Sequence, residues 1–151
     1  MDFLFDTNAL LWMAISDPRI LPVNKIIHNR ENSLFVSVIS FWEIAIKLRV
    51  GKINVNLQDL RSDVLNNDFY ELQLSANHVL SLLSLPKYHK DPFDHILISQ
   101  AKCEKMTIIT GDKIFKEYIP ETIIIVNEIN FFTRHCYVIQ QIFSKIFIDY
   151  Q

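Results

Sequence analysis

The stretch DPFDHILISQAKCEKMTIITGD, residues 91–112, contains the unit from which the fold of this chain is predicted. It opens with the start of a helix, because Asp91 is a favourable N-cap and Pro92 suits the first helical turn. The run Thr107–Thr110 is short and rich in β-branched residues, which predicts a buried strand. Asp112 follows just after that strand. A helix that leads straight into a buried strand is typical of a parallel α/β sheet.

The same alternation of strands and helices extends in both directions from this unit. Because the strands are apolar throughout, both faces of their sheet are expected to be covered by helices. The sequence therefore predicts an α/β domain over residues 1–127, with three α/β/α layers and a central, mainly parallel sheet. Further strands are predicted at residues 3–5, 34–37, 69–72 and 123–126, and helices at residues 7–15, 22–32, 39–50, 57–66, 76–85 and 113–118.

Residues 128–151 form a separate tail in this prediction. Their apolar residues recur at intervals of four and three, which indicates one C-terminal amphipathic helix. That pattern leaves two roles open, since the apolar face can dock on its own domain or contact a second copy or a partner. The recurring residues are Phe132, Cys136, Ile139, Phe143, Ile146 and Tyr150.

The composition excludes several classes of protein. Half of the 151 residues are hydrophobic and 21% are charged, so the chain is not a disordered linker. No apolar run reaches the roughly 18 residues that a membrane span needs, and the N-terminus has no basic segment like that of a signal peptide. Two cysteines give no disulfide framework, so reduced thiols in a cytoplasmic protein without membrane contact are expected. A net charge of −2 does not indicate that the chain binds nucleic acid by its overall charge. This average misleads if acids gather in one site, because the rest of the surface is then less negative.

Four acids are expected at one edge of the sheet, where ligand sites of parallel sheets lie. Asp6 ends the first strand, Glu43 lies one turn into a helix, Asp94 is in a first helical turn, and Asp112 follows a strand. Gathered carboxylates repel one another unless a cation is present, and oxygen ligands suit Mg²⁺ or Mn²⁺. One or two such ions can activate water and stabilise the leaving oxygen of a phosphodiester. The pattern therefore predicts metal-dependent nuclease chemistry.

Four sequence motifs, in order, resemble those of a known family. The chain resembles a PIN domain, and more narrowly the VapC type of toxin from bacterial toxin–antitoxin pairs. The resemblance spans residues 3–126, and the third motif is the most specific. The motifs are FLFDTN at 3–8, SVISFWEIAIK at 37–47 with Gly51 and Lys52 after it, LPKYHKDPFDHILISQA at 85–101, and ITGD at 109–112 with Phe115 and Tyr118.

The resemblance implies a metal-dependent endoribonuclease that a cognate antitoxin blocks and that forms a homodimer. It assigns metal binding and catalysis to the four acids named above. It also implies that three neighbouring polar groups orient carboxylates or waters: Thr7, Asn8 and Thr110. The candidate RNA contacts are Lys47, Lys52, Lys90, His95 and Lys113.

Two positions depart from the family pattern. His95 stands where an arginine is common, and Ser99 stands where a small alanine is common. A neutral histidine at position 95 can still touch RNA but contributes little charge. His89 and His95 flank the Asp91–Asp94 turn, but this spacing across a helix start is poor geometry for zinc.

Two other functions remain open from the sequence. One is a non-catalytic binding module that keeps the PIN fold and acts through protein partners; the four intact acids argue against it. The other is a DNA nuclease of the related flap type, although such chains are usually longer. No base-reading pattern identifies which RNA is cut.

Overall fold

The computed structural model describes residues 1–124. Within them, the strands are β1 Asp2–Phe5, β2 Ser33–Ser37, β3 Phe69–Leu72, β4 Thr107–Thr110 and β5 Ile123–Ile124. They form one sheet in the order β3-β2-β1-β4-β5, and every pair is parallel. The predicted α/β fold with a parallel sheet is therefore confirmed. The predicted tail helix over residues 128–151, and the boundary before it, lie outside the described residues.

Helices cover the sheet on both sides. They are α1 Thr7–Ala14, α2 Asn24–Ile27, α3 Val38–Arg49, α4 Leu57–Asn66, α5 Ala76–Ser81, α6 Pro92–Glu104 and α7 Phe115–Tyr118. The start of α6 is as predicted, because the Asp91 carboxylate accepts the backbone N–H groups of Phe93 and Asp94 at 2.8 and 3.3 Å. None of the helices formed by residues 1–124 is both long and apolar enough to cross a membrane.

Strand β1 shows why the strands are apolar along their whole length. Successive side chains of a strand point to opposite faces of the sheet. Phe3 and Phe5 pack into one core cluster together with residues of α1, α3 and α4. Leu4 packs into a second cluster formed with α6 and α7. Since all three side chains are buried, no polar residue can alternate with them.

Two predicted helices are shorter than expected. The helix predicted over residues 22–32 is wrong in its extent, because the chain forms a 3-10 turn over Pro18–Val23 and then only the short α2. The Asp17 carboxylate accepts the backbone N–H of Arg19 at 3.0 Å and therefore starts the turn before Pro22. The helix predicted to reach residue 85 ends as α5 and continues as a 3-10 turn, Leu82–Ser84.

A buried hydrogen bond ties together the helices that carry two of the predicted site acids. Ser37, the N-cap of α3, donates its hydroxyl to Gln100 Oε1 of α6 at 2.6 Å and accepts the backbone N–H of Ile39 at 3.0 Å. Gln100 Nε2 donates to the Gln73 carbonyl, just after β3, at 3.3 Å. These bonds fix α3 and α6 relative to the sheet edge.

Candidate active site

The strand order reverses beside β1. From β1 the chain proceeds outward through β2 and β3, and then crosses to β4 on the other side of β1. Ligands of open parallel sheets bind outside the carboxyl ends of the strands at such a reversal. Asp6 directly follows β1 and Thr110 is the last residue of β4, so both lie at this point.

Asp6 is the most buried acid of this edge, with 3% of its surface exposed. Its carboxylate caps α1 by accepting the Ala9 N–H at 2.6 Å, and it accepts the hydroxyl of Thr110. Burial raises the pKa of Asp6 to about 7, although both of these hydrogen bonds lower it. The charges of Asp94 and Glu43 raise this pKa further. Asp6 therefore lies within electrostatic reach of both other acids.

Glu43 is paired with a cation from its own helix. Its Oε1 lies 2.6 Å from Lys47 Nζ, and the two side chains are 12% and 28% exposed. Residues four apart lie on the same face of a helix, so the pair forms within α3. Lys47, which the sequence predicts to contact RNA, therefore neutralises one of the acids in this structure.

Asp94 lies in the first turn of α6 and has a histidine partner. Its Oδ2 lies 3.1 Å from His89 Nε2. Burial, followed by the charge of Asp91, raises the pKa of Asp94 to about 6, while His89 lowers it and Glu43 raises it further. Glu43 of α3 thus raises the pKa of both Asp94 and Asp6, which belong to two other elements.

Asp112 stands at the rim of this group. It is exposed, and its Oδ1 accepts the Ile114 N–H at 2.9 Å. Its own backbone N–H donates to Thr110 Oγ1 at 3.0 Å, so Thr110 connects it to Asp6. The structure brings Asp6, Glu43 and Asp94 together electrostatically, and it holds Asp112 next to them through the backbone.

The other predicted groups have different environments. Thr110 is fully buried and bridges Asp6 and Asp112. Thr7 is buried, and its hydroxyl has no hydrogen-bond partner among residues 1–124, whereas Asn8 is exposed. Of the candidate RNA contacts beyond Lys47, His95 has its Nε2 at 3.2 Å from the Tyr118 hydroxyl oxygen. The others are exposed lysines: Lys52, Lys90 and Lys113.

The sequence matches the family model for the PIN domain over residues 3–119. The chain belongs to the PIN domain family. No curated protein matches it. Three solved structures share its fold, at 17–19% identity and TM-scores of 0.56–0.59. They are VapBC2 of Rickettsia felis bound to a DNA fragment from its promoter, a toxin–antitoxin complex from Klebsiella pneumoniae, and VapBC-1 from nontypeable Haemophilus influenzae.

These likenesses cover nearly the whole of each neighbour. The alignments span 82% of this chain and 97%, 97% and 96% of the Rickettsia, Klebsiella and Haemophilus chains. The predicted resemblance to PIN domains of toxin–antitoxin complexes is therefore confirmed. At these identities, the structural likeness itself establishes the shared fold.

The sequence motifs include His89 and Tyr118, but sequence reasoning gave neither residue a role in the site of this PIN domain. Tyr118 is buried, and its hydroxyl lies 2.9 Å from His89 Nδ1, which connects it through His89 to Asp94. The position of His89 near the Asp91–Asp94 turn was the only sequence feature that indicated a role, and it suggested a zinc ligand. Nothing in the sequence places Tyr118, 29 residues further along, beside it.

The donor set of the site fits a hard divalent cation. It consists of carboxylates, and the pKa of Asp6 and that of Asp94 are both raised, so their ionised forms gain from a nearby positive charge. The unpartnered Thr7 hydroxyl adds a buried oxygen beside Asp6. As placed, no three acid, histidine or cysteine side chains within residues 1–124 are grouped closely enough to hold an ion. Each of the four acids instead contacts a local donor.

Proposed function

We propose that this PIN domain is a divalent-metal-dependent endoribonuclease and the toxin of a toxin–antitoxin pair. One observation carries the proposal. Three acids from separate elements interact at the strand-order reversal, and the pKa of Asp6 lies at about 7 despite two hydrogen bonds that lower it. An edge that disfavours its own ionised acids is suited to a cation. The family match and the fold shared with VapBC complexes support the same assignment.

The proposed roles follow from the contacts of each acid. Asp6, Glu43, Asp94 and Asp112 hold one or two Mg²⁺ or Mn²⁺ ions. Such an ion would lower the pKa of a water bound to it and would offset the negative charge that develops on a phosphodiester.

The neighbouring groups orient these acids or meet the substrate. The Ala9 N–H and the Thr110 hydroxyl fix the Asp6 carboxylate. Lys47 becomes available to an RNA phosphate when Glu43 binds a cation instead of its ammonium group. The exposed lysines at positions 52, 90 and 113 contribute positive charge for the RNA backbone.

The decisive experiment is RNA cleavage by the purified protein with Mn²⁺ and with EDTA. Asp6→Asn and Asp94→Asn should each lower the cleavage rate at least about 100-fold, because each loses a carboxylate that holds the cation. Asp59→Asn is the matched control, since Asp59 also lies in the first turn of a helix, but in α4, which carries none of the four site acids. It should cut like the wild type.

Three outcomes would contradict parts of this proposal. Cleavage that survives EDTA and both substitutions would refute the acid site. Cutting of single-stranded DNA of the same sequence at the same rate would refute the preference for RNA and would favour a DNA nuclease of the flap type. A folded wild type that binds Mn²⁺ and a partner protein, but cuts no nucleic acid, would favour the non-catalytic binding module.

Two protein partners belong to the proposal. The three neighbouring structures are named as toxin–antitoxin or VapBC complexes, which supports a cognate antitoxin for this chain. An exposed apolar surface supports a homodimer, because contiguous apolar patches commonly mark interaction sites. Trp42 is 56% and Leu83 89% exposed, and both line a groove of about 880 Å³. Ile46 of α3 and Val79 and Leu80 of α5 are further exposed apolar residues.

The homodimer is tested by sedimentation of the free protein. Wild type should sediment as a dimer and Leu83→Glu as a monomer, because a charge in a buried apolar contact is costly. Lys25→Glu, which changes an exposed charge on α2 and does not line this groove, is the control and should stay dimeric. A monomeric wild type would refute the dimer. The cytoplasmic location stays a prediction from the sequence.

A further inference from the structure

A cluster of three aromatic rings adjoins Asp94 through His89. Its centre is Tyr118, the last residue of α7, which is 4% exposed. The His89 and His95 rings contact each other edge-on at 4.6 Å between centroids, and each also packs against the Tyr118 ring at 5.4 and 5.9 Å. The proposed function gives His89 and Tyr118 no role, yet His89 is bonded to a proposed metal ligand, Asp94.

The hydroxyl of Tyr118 is crowded with hydrogen-bond partners. It accepts the backbone N–H groups of Tyr88 and His89 at 3.0 and 3.3 Å. A phenol oxygen has two lone pairs and one proton, so these two donors leave the proton to be given away. The nearest acceptor is His89 Nδ1 at 2.9 Å, which is closer than His95 Nε2 at 3.2 Å.

This direction of donation fixes the tautomer of His89. A neutral imidazole that accepts at Nδ1 carries its proton on Nε2. His89 Nε2 then donates to Asp94 Oδ2 across 3.1 Å. Tyr118, His89 and Asp94 thus form a chain of two hydrogen bonds with a single consistent direction. Its far end holds one oxygen of the Asp94 carboxylate, and no group of residues 1–124 hydrogen-bonds to the other oxygen, Oδ1.

We propose that His89, set in its tautomer by Tyr118, is a positioning residue that orients the Asp94 carboxylate toward the cation. The inference rests on the proposed function, since it concerns a ligand of that same site. Hydrogen-bonded partners of metal ligands typically change metal affinity or activity by about 10–100-fold when they are removed.

The test uses two substitutions of His89 that differ in reach. Glutamine places its amide nitrogen near the position of Nε2 and can still donate to Asp94. Asparagine places its amide near Nδ1 and cannot reach Asp94. His89→Asn should weaken Mn²⁺ binding about 10–100-fold, measured by EPR titration without RNA, whereas His89→Gln should stay within about threefold of the wild type.

Tyr118→Phe tests the other end of the chain. It keeps the buried ring and removes the hydroxyl that donates to His89 Nδ1. It should therefore weaken Mn²⁺ binding and change the Nδ1 signal of His89 in ¹⁵N-resolved NMR spectra. Tyr88→Phe is the matched control, because Tyr88 is 53% exposed and contacts the Tyr118 ring edge-on at 4.9 Å. It should bind Mn²⁺ and show the His89 signal like the wild type. If Tyr118→Phe fails to fold, the His89 pair alone decides.

The outcomes separate this inference from the proposed function. If the wild type cuts RNA but His89→Asn binds Mn²⁺ as tightly as it does, the positioning role is refuted while the nuclease stands. Equal losses in His89→Gln and His89→Asn would refute it as well. If the affinities follow the expected order but no RNA is cut, the proposed nuclease fails and the positioning role stands. A wild type that binds no Mn²⁺ overturns both.

Discussion

The sharpest prediction concerns the charge of Asp6 in metal-free protein. Burial raises its pKa from 3.8 to about 7. Between these two values the unfolded chain has lost the proton and the folded chain keeps it, so the free energy of unfolding falls as pH rises through this window. A difference of roughly three pKa units corresponds to about 4 kcal/mol. Wild type should therefore lose up to about 4 kcal/mol of stability between about pH 4 and pH 8 from this group.

Asp6→Asn removes that loss because an amide does not ionise. The amide can accept the Ala9 N–H but misses the hydrogen bond from Thr110, which costs about 1 kcal/mol at every pH. The variant should thus be slightly less stable than the wild type near pH 4 and more stable, by about 3 kcal/mol, near pH 8.

Urea unfolding in EDTA across this range measures the difference directly. Asp17→Asn is the control, because hydrogen bonds from Arg19 lower the pKa of Asp17. A lowered pKa contributes stability that is lost only as pH falls below the usual range of an aspartate, so this variant should differ from the wild type by a constant amount between about pH 5 and pH 8. If the stability difference between Asp6→Asn and the wild type is also independent of pH, the pKa of Asp6 is not raised and the reasoning is refuted.

Three further predictions concern the same edge of the sheet. Saturating Mn²⁺, at about one hundred times its dissociation constant, should stabilise the wild type by about 2.7 kcal/mol, and an unchanged melting temperature would count against a metal site. Gly111→Ala should lower the free energy of unfolding in urea by about 1–3 kcal/mol, because the added Cβ would lie 2.1 Å from Trp12 Cη2. Adding Trp12→Phe to this variant should recover part of the loss. An unchanged stability of Gly111→Ala would refute the close packing. Ser37→Ala should cost about 1–3 kcal/mol by the same assay, since it removes an N-cap and leaves Gln100 Oε1 without its donor, whereas exposed Ser62→Ala should change stability little.

The elements predicted correctly are those whose signals are local. Asp91 and Pro92 specify the start of α6 by themselves, and the strand Thr107–Thr110 is apolar because both of its faces are covered. The prediction for residues 22–32 failed because two signals competed: Pro22 can open a helix, but the Asp17 carboxylate had already started a turn five residues earlier. Single-residue signals do not say which of two starts is used.

For the candidate site, the sequence located the acids but not their partners. Asp6 and Asp112 follow strands, so their place at one edge follows from the parallel sheet alone. The Glu43–Lys47 pair was also readable from its spacing of four residues, although we assigned Lys47 to RNA. The contact of Tyr118 with His89 depends on how α7 packs against the loop before α6, and no local pattern encodes that packing.

The acids of this edge are each stabilised by a local donor before any ligand binds. Asp6 and Asp112 accept backbone N–H groups, Glu43 pairs with Lys47, and Asp94 meets His89. Helix starts favour negative charge, and two of these acids lie at the start of α1 or α6. The metal-free chain can therefore fold with its acids in place. The raised pKa of Asp6 shows that this local compensation is incomplete, and the uncompensated part is what a divalent cation would relieve.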